Sequence, residues 1–337
     1  MTKPPTHRET HRETELKLAL PARRVPAFER AAPVPVAPVR LPGEASVEDG
    51  FVALCTACLA QFQANLPGVL EDEDIEYVHQ ARVALQRLRV ALRLYRGLCP
   101  LPPGELLAGL RALAGALGPV RDWDVLCCVT LPEIAPALDH PPAWRQLMRV
   151  VQARRRAARQ AMQGAIVQAG PAAWLRAFHR WLAQRAWRSE PARQAAWQAP
   201  LQPWAARALQ AGHKKLVRSA RDFARQSPQQ RHALRLRVKR QRYATEFFET
   251  LPGAAPHAKY RGHLHELQSS LGRANDAHIA RALLGGALAG GPGAGGAGQA
   301  RGAGCFVLGW LARQAVEPAD PGVLKALKFI RKSRPAW

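Results

Sequence analysis

Acidic residues are scarce in this chain of 337: 25 Asp and Glu stand against 49 Lys and Arg, a formal charge of +24. Such a surplus repels itself in any compact state, and a polyanionic partner would relieve it. Lysine is scarce too, at nine residues, so most of the positive charge is guanidinium. A GC-rich genome would favour Arg together with Ala, Gly and Pro. Arg also forks onto phosphate oxygens with two parallel hydrogen bonds, which Lys cannot do. No apolar run has the length of a membrane span, and Met1 to Thr10 is polar. Neither a spanning segment nor a signal peptide is therefore expected, and the default location is cytoplasmic. The six Cys form no disulfide or zinc framework. Cys55 and Cys58 sit in an apolar helical pattern with no second pair, Cys127 and Cys128 are adjacent, and Cys99 and Cys305 stand alone. No metal site and no cofactor is expected.

Apolar residues make up 47%, enough for a sizeable core and too many for global disorder. The organising stretch is Tyr77 to Leu98, YVHQARVALQRLRVALRLYRGL. It is free of Gly and Pro until Gly97 and apolar at helical spacing, which predicts one amphipathic helix. Positions three, four and seven apart share a face. His79, Arg82, Gln86, Arg89 and Arg93 form a polar stripe with Arg87 on its flank, while Leu88, Ala91, Leu92 and Tyr95 face a core. Like charges along one helix repel, which argues for an anion to neutralise them.

The pattern returns in His232 to Phe248, HALRLRVKRQRYATEFF. His232, Arg235, Lys239, Arg240 and Arg242 stand where His79, Arg82, Gln86, Arg87 and Arg89 stood, and Glu246 takes the place of Arg93. A second match follows each helix: LGPVRDWDVL (Leu117 to Leu126) and LGRANDAHIA (Leu271 to Ala280). There Leu117/Leu271, Gly118/Gly272 and Asp122/Asp276 coincide. Two motifs repeating in one order mean two copies of one helical unit, each presenting a basic stripe.

VHQARVALQRLR followed by LGPVRDWDVL, then HALRLRVKRQRYATE followed by LGRANDA, resembles the CHAD family, the conserved histidine α-helical domain. The resemblance spans residues 46 to 337. One departure is Gln86, where the family usually has Arg, which weakens the first stripe by one charge. The resemblance implies an all-α fold of two pseudo-symmetric, bundle-like halves around a basic central channel. It also implies binding of long-chain inorganic polyphosphate. The implied site is His79, Arg82, Arg87, Arg89 and Arg93 with His232, Arg235, Lys239, Arg240 and Arg242. Two other basic helix faces are candidates for the same anion: Lys214, Lys215 and Arg218, and near the C-terminus Lys325 and Lys328, for which a solvated helix end is an equal reading.

Residues 1–44 are expected to be mostly unstructured. HRET occurs at 7–10 and again at 11–14. If Glu13 to Leu20 is a strand, period two puts Glu13, Glu15 and Lys17 on one face. That acid-x-acid-x-Lys order resembles the opening strand of the CYTH family of triphosphate tunnel enzymes. There the acidic pair helps hold a divalent metal and the Lys faces the phosphates. The further strands of a tunnel are missing, because the chain enters APVPVAPVRLPG, a Pro-rich linker. A CYTH remnant and a chance match in a disordered tail both stay open, and neither predicts triphosphatase activity.

The helical domain is expected over 45–337, with halves at about 45–199 and 200–337. Ser46 caps the first helix, with Asp49 at capping-box spacing, and Pro67-Gly68 is expected to end it. A helix over 105–117 is expected to break at Gly118-Pro119. In the second half, helices are expected over 204–225, from the Ser227 cap and Pro228 onward, and over 257–271 with a short continuation to Leu284. Two more are expected over 305–316 and 321–332. The Gly-rich stretch 285–304 reads as a flexible linker, since it lacks the Gly-Lys-Ser/Thr ending of a phosphate-binding loop. Trp174, Trp181 and Trp187 read as packing residues. Asp122 and Asp124 could pair on a metal, but a cap or an ion pair with Arg of the central helix is preferred.

Three functions are weighed. Nucleic-acid binding would suit the basic stripes, but no nucleic-acid motif and no interleaved aromatics accompany them. Enzymatic work would need a nucleophile with its base, or carboxylates beyond Glu13 and Glu15. The expectation is a non-catalytic, cytoplasmic polyphosphate binder associated with polyphosphate granules. His79 and His232 would donate to phosphate oxygens, or would merely close the starts of their helices.

Overall fold

The computed structural model describes residues 32–72, 74–98, 102–189, 191–252, 258–289, 297–316 and 321–333. Among them no strand occurs, and the fold is all-α. The CYTH-like stretch lies outside the described residues. The helices are α1 (Val47–Glu71), α2 (Ile75–Leu94), α3 (Gly104–Val125), α4 (Leu131–Ile134), α5 (Pro141–Gln168) and α6 (Pro171–Gln184). They continue with α7 (Pro191–Gln198), α8 (Leu201–Ser219), α9 (Pro228–Phe247), α10 (Ala258–Ala289), α11 (Ala297–Val316) and α12 (Pro321–Lys332). Helices α1, α2, α3, α5 and α6 recur in order as α8 to α12. Their starts are offset by close to the 153 residues that separate Gln86 from Lys239.

Equivalent residues of the two copies meet one another. Val47 N–H donates to Ala199 O and Leu201 N–H to Ala45 O, both at 2.9 Å, so the openings of α1 and α8 join in one antiparallel bridge. Lys239 Nζ donates to Gln86 Oε1. Asp122 and Asp276 lie within each other's field. In a twofold arrangement only residues at the axis touch their own counterparts, so these pairs locate a pseudo-twofold axis.

Local chemistry starts the key helices. Ser46 Oγ accepts from Asp49 N–H at 3.1 Å while Asp49 Oδ2 accepts from Ser46 N–H at 3.1 Å, the expected capping box. Ser227 and Gln230 do the same for α9, at 3.3 and 2.8 Å. Two expected breaks do not occur. α1 runs through Pro67 to Glu71, and α3 runs through Pro119 to Val125. A Pro inside a helix costs about 3 kcal/mol. Leu113, Leu117 and Val120 are almost wholly buried along α3, and each is worth about 1.5–3 kcal/mol, which outweighs that cost. Gly68 shows the same priority of packing in α1, since a Cβ there would lie 2.2 Å from the Tyr77 ring of α2. Beyond α3 the helix widens into a π turn, Leu126–Thr130, just before Pro132, which has no N–H to offer that turn.

α10 also runs on, through Asn275 and Asp276 to Ala289, and α11 starts at Ala297. Both flanks of the stretch expected as a linker are thus helical. The residues 33–44, also expected as linker, lie along the helices. Asn65 Nδ2 donates to Val34 O at 2.9 Å and Thr250 Oγ1 to Val39 O at 2.7 Å. The compact helical unit begins at Pro33.

Three cores form. One gathers α1, α2, most of α3, the end of α5, α6, α7, the start of α8 and the end of α9. Another gathers the end of α8, α9, the start of α10 and α12. Between them the ends of α3 and α10 share a core with α4, α5 and α11. α10 therefore begins among residues of its own copy and α3 among residues of both copies, and the two end in a common core. Trp174, Trp181 and Trp187 are buried as expected, the last two edge to face at 5.0 Å. By length and composition α1 could cross a bilayer, against the sequence expectation. In this fold its Phe51, Leu54, Leu59 and Phe62 are fully buried in the first core.

Candidate functional site

The stripes of α2 and α9 meet at the axis. Two cations at positions 86 and 239 would stand charge to charge there. Gln86 avoids this by accepting from the Lys239 ammonium. The loss of one charge at Gln86 is thus also the removal of a repulsion at the centre.

Around that contact the cations crowd. Burial, then Arg235, Arg82 and Arg242, push the Lys239 ammonium down to about 7, and Asp276 opposes the shift only in part. Burial also lowers His79, helped by Arg121, Lys239 and Arg82 and opposed by Glu76. Burial and neighbouring Arg side chains lower Arg82 and Arg89. Guanidinium stays charged regardless. Burial is the first cause of each shift, and the neighbouring cations add to it in the same direction.

The two motif acids brace their own stripes. Asp122 attracts Arg82, and Asp276 Oδ1 lies 4.0 Å from Arg235 Nη2. This is the structural role expected for Asp122, repeated in the second copy. Asp124 does not join Asp122 on a shared site. It is fully buried and accepts from Arg155 Nε at 2.7 Å. Arg235 Nε is buried with no hydrogen-bond partner, so part of its fork is unused.

The CHAD domain family model matches residues 53–285. The chain belongs to the CHAD family. Among solved structures it is similar to the crystal structure of the CHAD domain from the plant Ricinus communis. Identity is 30% and the TM-score 0.77, over 90% of this chain and 98% of that one. It shares its fold with PptA from Streptomyces chartreusis, at 19% identity and TM-score 0.56, over 86% and 98% of the two chains. A search of curated proteins finds no match.

Within this CHAD domain the expected residues divide. His79, Arg82, Arg235, Lys239 and Arg242 come together at the axis. Arg242 is held there by Gln268 and Glu246, both at 2.9 Å. Arg89 reaches Leu110 O at 3.4 Å, and Arg93 neighbours Arg240 along the flank. His232 is exposed, with Nδ1 3.2 Å from Asn275 Oδ1. Arg87 does not belong with them. It is 3% exposed, pairs with Glu246 at 3.0 Å and lies over the Phe247 ring at 4.7 Å, so it ties α2 to α9 and cannot reach an anion in solvent. Lys214, Lys215 and Lys325 are exposed on α8 and α12 and have no described contact with the axial cluster. Arg218 and Lys328 line surface cavities instead.

Sequence reasoning missed Arg121, which stands beside His79 and matches Asn275 beside His232. Its signal was present: both residues precede the motif Asp by one.

Proposed function

We propose that this CHAD protein binds inorganic polyphosphate along the seam between α2 and α9, without catalysis, in the cytoplasm and at polyphosphate granules. The observation that carries the reading is the axial cluster. Arg82, Arg235, Lys239 and Arg242 oppose one another's charge, and Asp122, Asp276 and Glu246 offset them only in part. An anion of closely spaced charges would restore the lowered groups, and the cations follow two helices rather than lining a closed pocket. A phosphate chain with no bases to accommodate suits that shape.

Nucleic acid is the second reading. It would gain from exposed rings beside the cations. Tyr243, the ring under Arg242 at 4.8 Å, is buried and offers no stacking face. Titration with long-chain polyphosphate and with duplex DNA at one physiological salt concentration compares the two. Polyphosphate should bind much more tightly, and equal affinities would overturn the choice. The combined variant Arg82→Gln, Arg89→Gln, Arg235→Gln, Arg242→Gln should weaken polyphosphate binding by about a hundredfold or more, with helicity retained. Phosphate release from polyphosphate or triphosphate with magnesium or manganese should be absent. Clear turnover would overturn the non-catalytic reading.

A further inference from the structure

The far side of α9 carries a second concentration of positive charge. Arg237 lies two positions beyond Arg235, about 200° round the helix, so it faces away from the axial seam. There a cavity of about 450 Å³ is lined by Arg218, Arg221, Arg225 and Arg237. A neighbouring cavity of about 580 Å³ is lined by Lys328, Arg331 and Lys332 of α12, over an apolar floor that includes Phe223 and Leu327. Asp222 borders both cavities and is the one acid among their lining residues. Arg231 stacks over the Phe223 ring at 5.1 Å, and its buried Nε has no partner.

This basin is joined to the seam by a chain of cations. Arg240 is held down by burial and by both Arg93 and Arg237. Arg93 stands one helical turn from Arg89 on α2, and Arg89 feels Arg82 at the axis. Neighbouring cations thus link Arg237, Arg240 and Arg93 along the flank of α9 with Arg89 and Arg82 on α2.

We propose that the basin formed by the α8–α9 turn and α12 is a second polyphosphate-binding site, engaged by the outer part of a chain whose middle occupies the axial seam. The proposal rests on the polyphosphate reading above. It makes chain length the selected property. A short chain fills the seam alone, whereas a long chain reaches both sites, and the second binding event becomes intramolecular with a high effective concentration.

The test uses the full chain and two variants. In the first, Arg221→Gln, Arg225→Gln, Lys328→Gln and Arg331→Gln remove charge from four exposed positions. In the second, Asp222→Asn removes the acid while keeping a residue that tolerates the left-handed φ of 50° found there. Affinity is measured for a short and a long polyphosphate across a salt series. The first variant should bind the long chain about tenfold more weakly. Its salt slope for that chain should fall by about one for each phosphate that the basin no longer engages, with short-chain binding unchanged. The second variant should bind the long chain more tightly. Equal losses for both lengths, or no loss for either, would overturn the second site. A loss for long duplex DNA as large as that for long polyphosphate would overturn its chemistry. If the parent protein binds neither polyphosphate, the axial reading fails first and the basin proposal with it.

Discussion

Lys239 shows how one residue reports the state of the seam. Free, its ammonium is pushed down to about 7 by burial and by Arg235, Arg82 and Arg242. Phosphate oxygens placed among those groups would return it toward the ordinary lysine range near ~10.4. Between these values the bound protein holds more protons than the free one. Affinity for polyphosphate should therefore fall as pH rises above 7, by up to about one log unit per pH unit, and level off below 7 apart from a smaller contribution from His79. Lys239→Arg, charged throughout, should flatten the fall between pH 7 and 9. An unchanged slope would remove Lys239 from the seam's proton balance. Glu48 makes the opposite argument for stability. Burial would raise its carboxyl, but hydrogen bonds from Arg188, Trp187 and Arg185 hold it below its ordinary 4.5. That stabilisation is present above 4.5 and is lost as pH falls through the lowered folded value. Glu48→Gln should cost about 2–3 kcal/mol at neutral pH in urea unfolding and reduce the loss of stability in acid. A neutral effect would make the cluster surface decoration.

Among elements, α3 carries the sharpest conflict between local and tertiary preference. Pro119 is exposed, removes one backbone donor and is nonetheless inside the helix. Pro119→Ala restores the donor without disturbing buried packing, and should raise stability by about 1–3 kcal/mol, read as a higher urea midpoint with polyphosphate affinity unchanged. A fall in either would mean that Pro119 itself helps to set the crossing of α3 and α10 beside Asp122 and Asp276. The same conflict explains what was legible in advance. α2 and α9 were readable because periodicity and, for α9, the Ser227 cap agree with the packing. The ends of α1, α3 and α10 were not, because Pro67, Pro119 and Asn275 argue for breaks that buried neighbours overrule. The seam was legible as two stripes, since equivalent spacing in two copies is a sequence property. That Arg87 turns inward was not, because its partner Glu246 comes from the other copy, and only their meeting buries it.

At the scale of the molecule, a charge of +24 and a pseudo-twofold arrangement act together. The symmetry brings each stripe against its copy, so repulsion that would be spread over the surface is concentrated at one seam. Folding is then opposed by the seam until an anion or screening salt relieves it. Two consequences separate this view from simple surface charge. Raising sodium chloride should increase the Tm of the free protein, because screening weakens the repulsion at the axis. Polyphosphate at about a hundred times its Kd should add about 2.7 kcal/mol at low salt, a shift of several degrees. That increment should shrink as sodium chloride rises, since the salt weakens polyphosphate binding while relieving the same repulsion. In the variant Gln86→Lys, which restores a second cation at the axis, the free protein should melt lower and the polyphosphate increment should grow. A variant that melts lower with an unchanged increment would place the bound chain away from the axis, and the seam would be only a weak point in the fold.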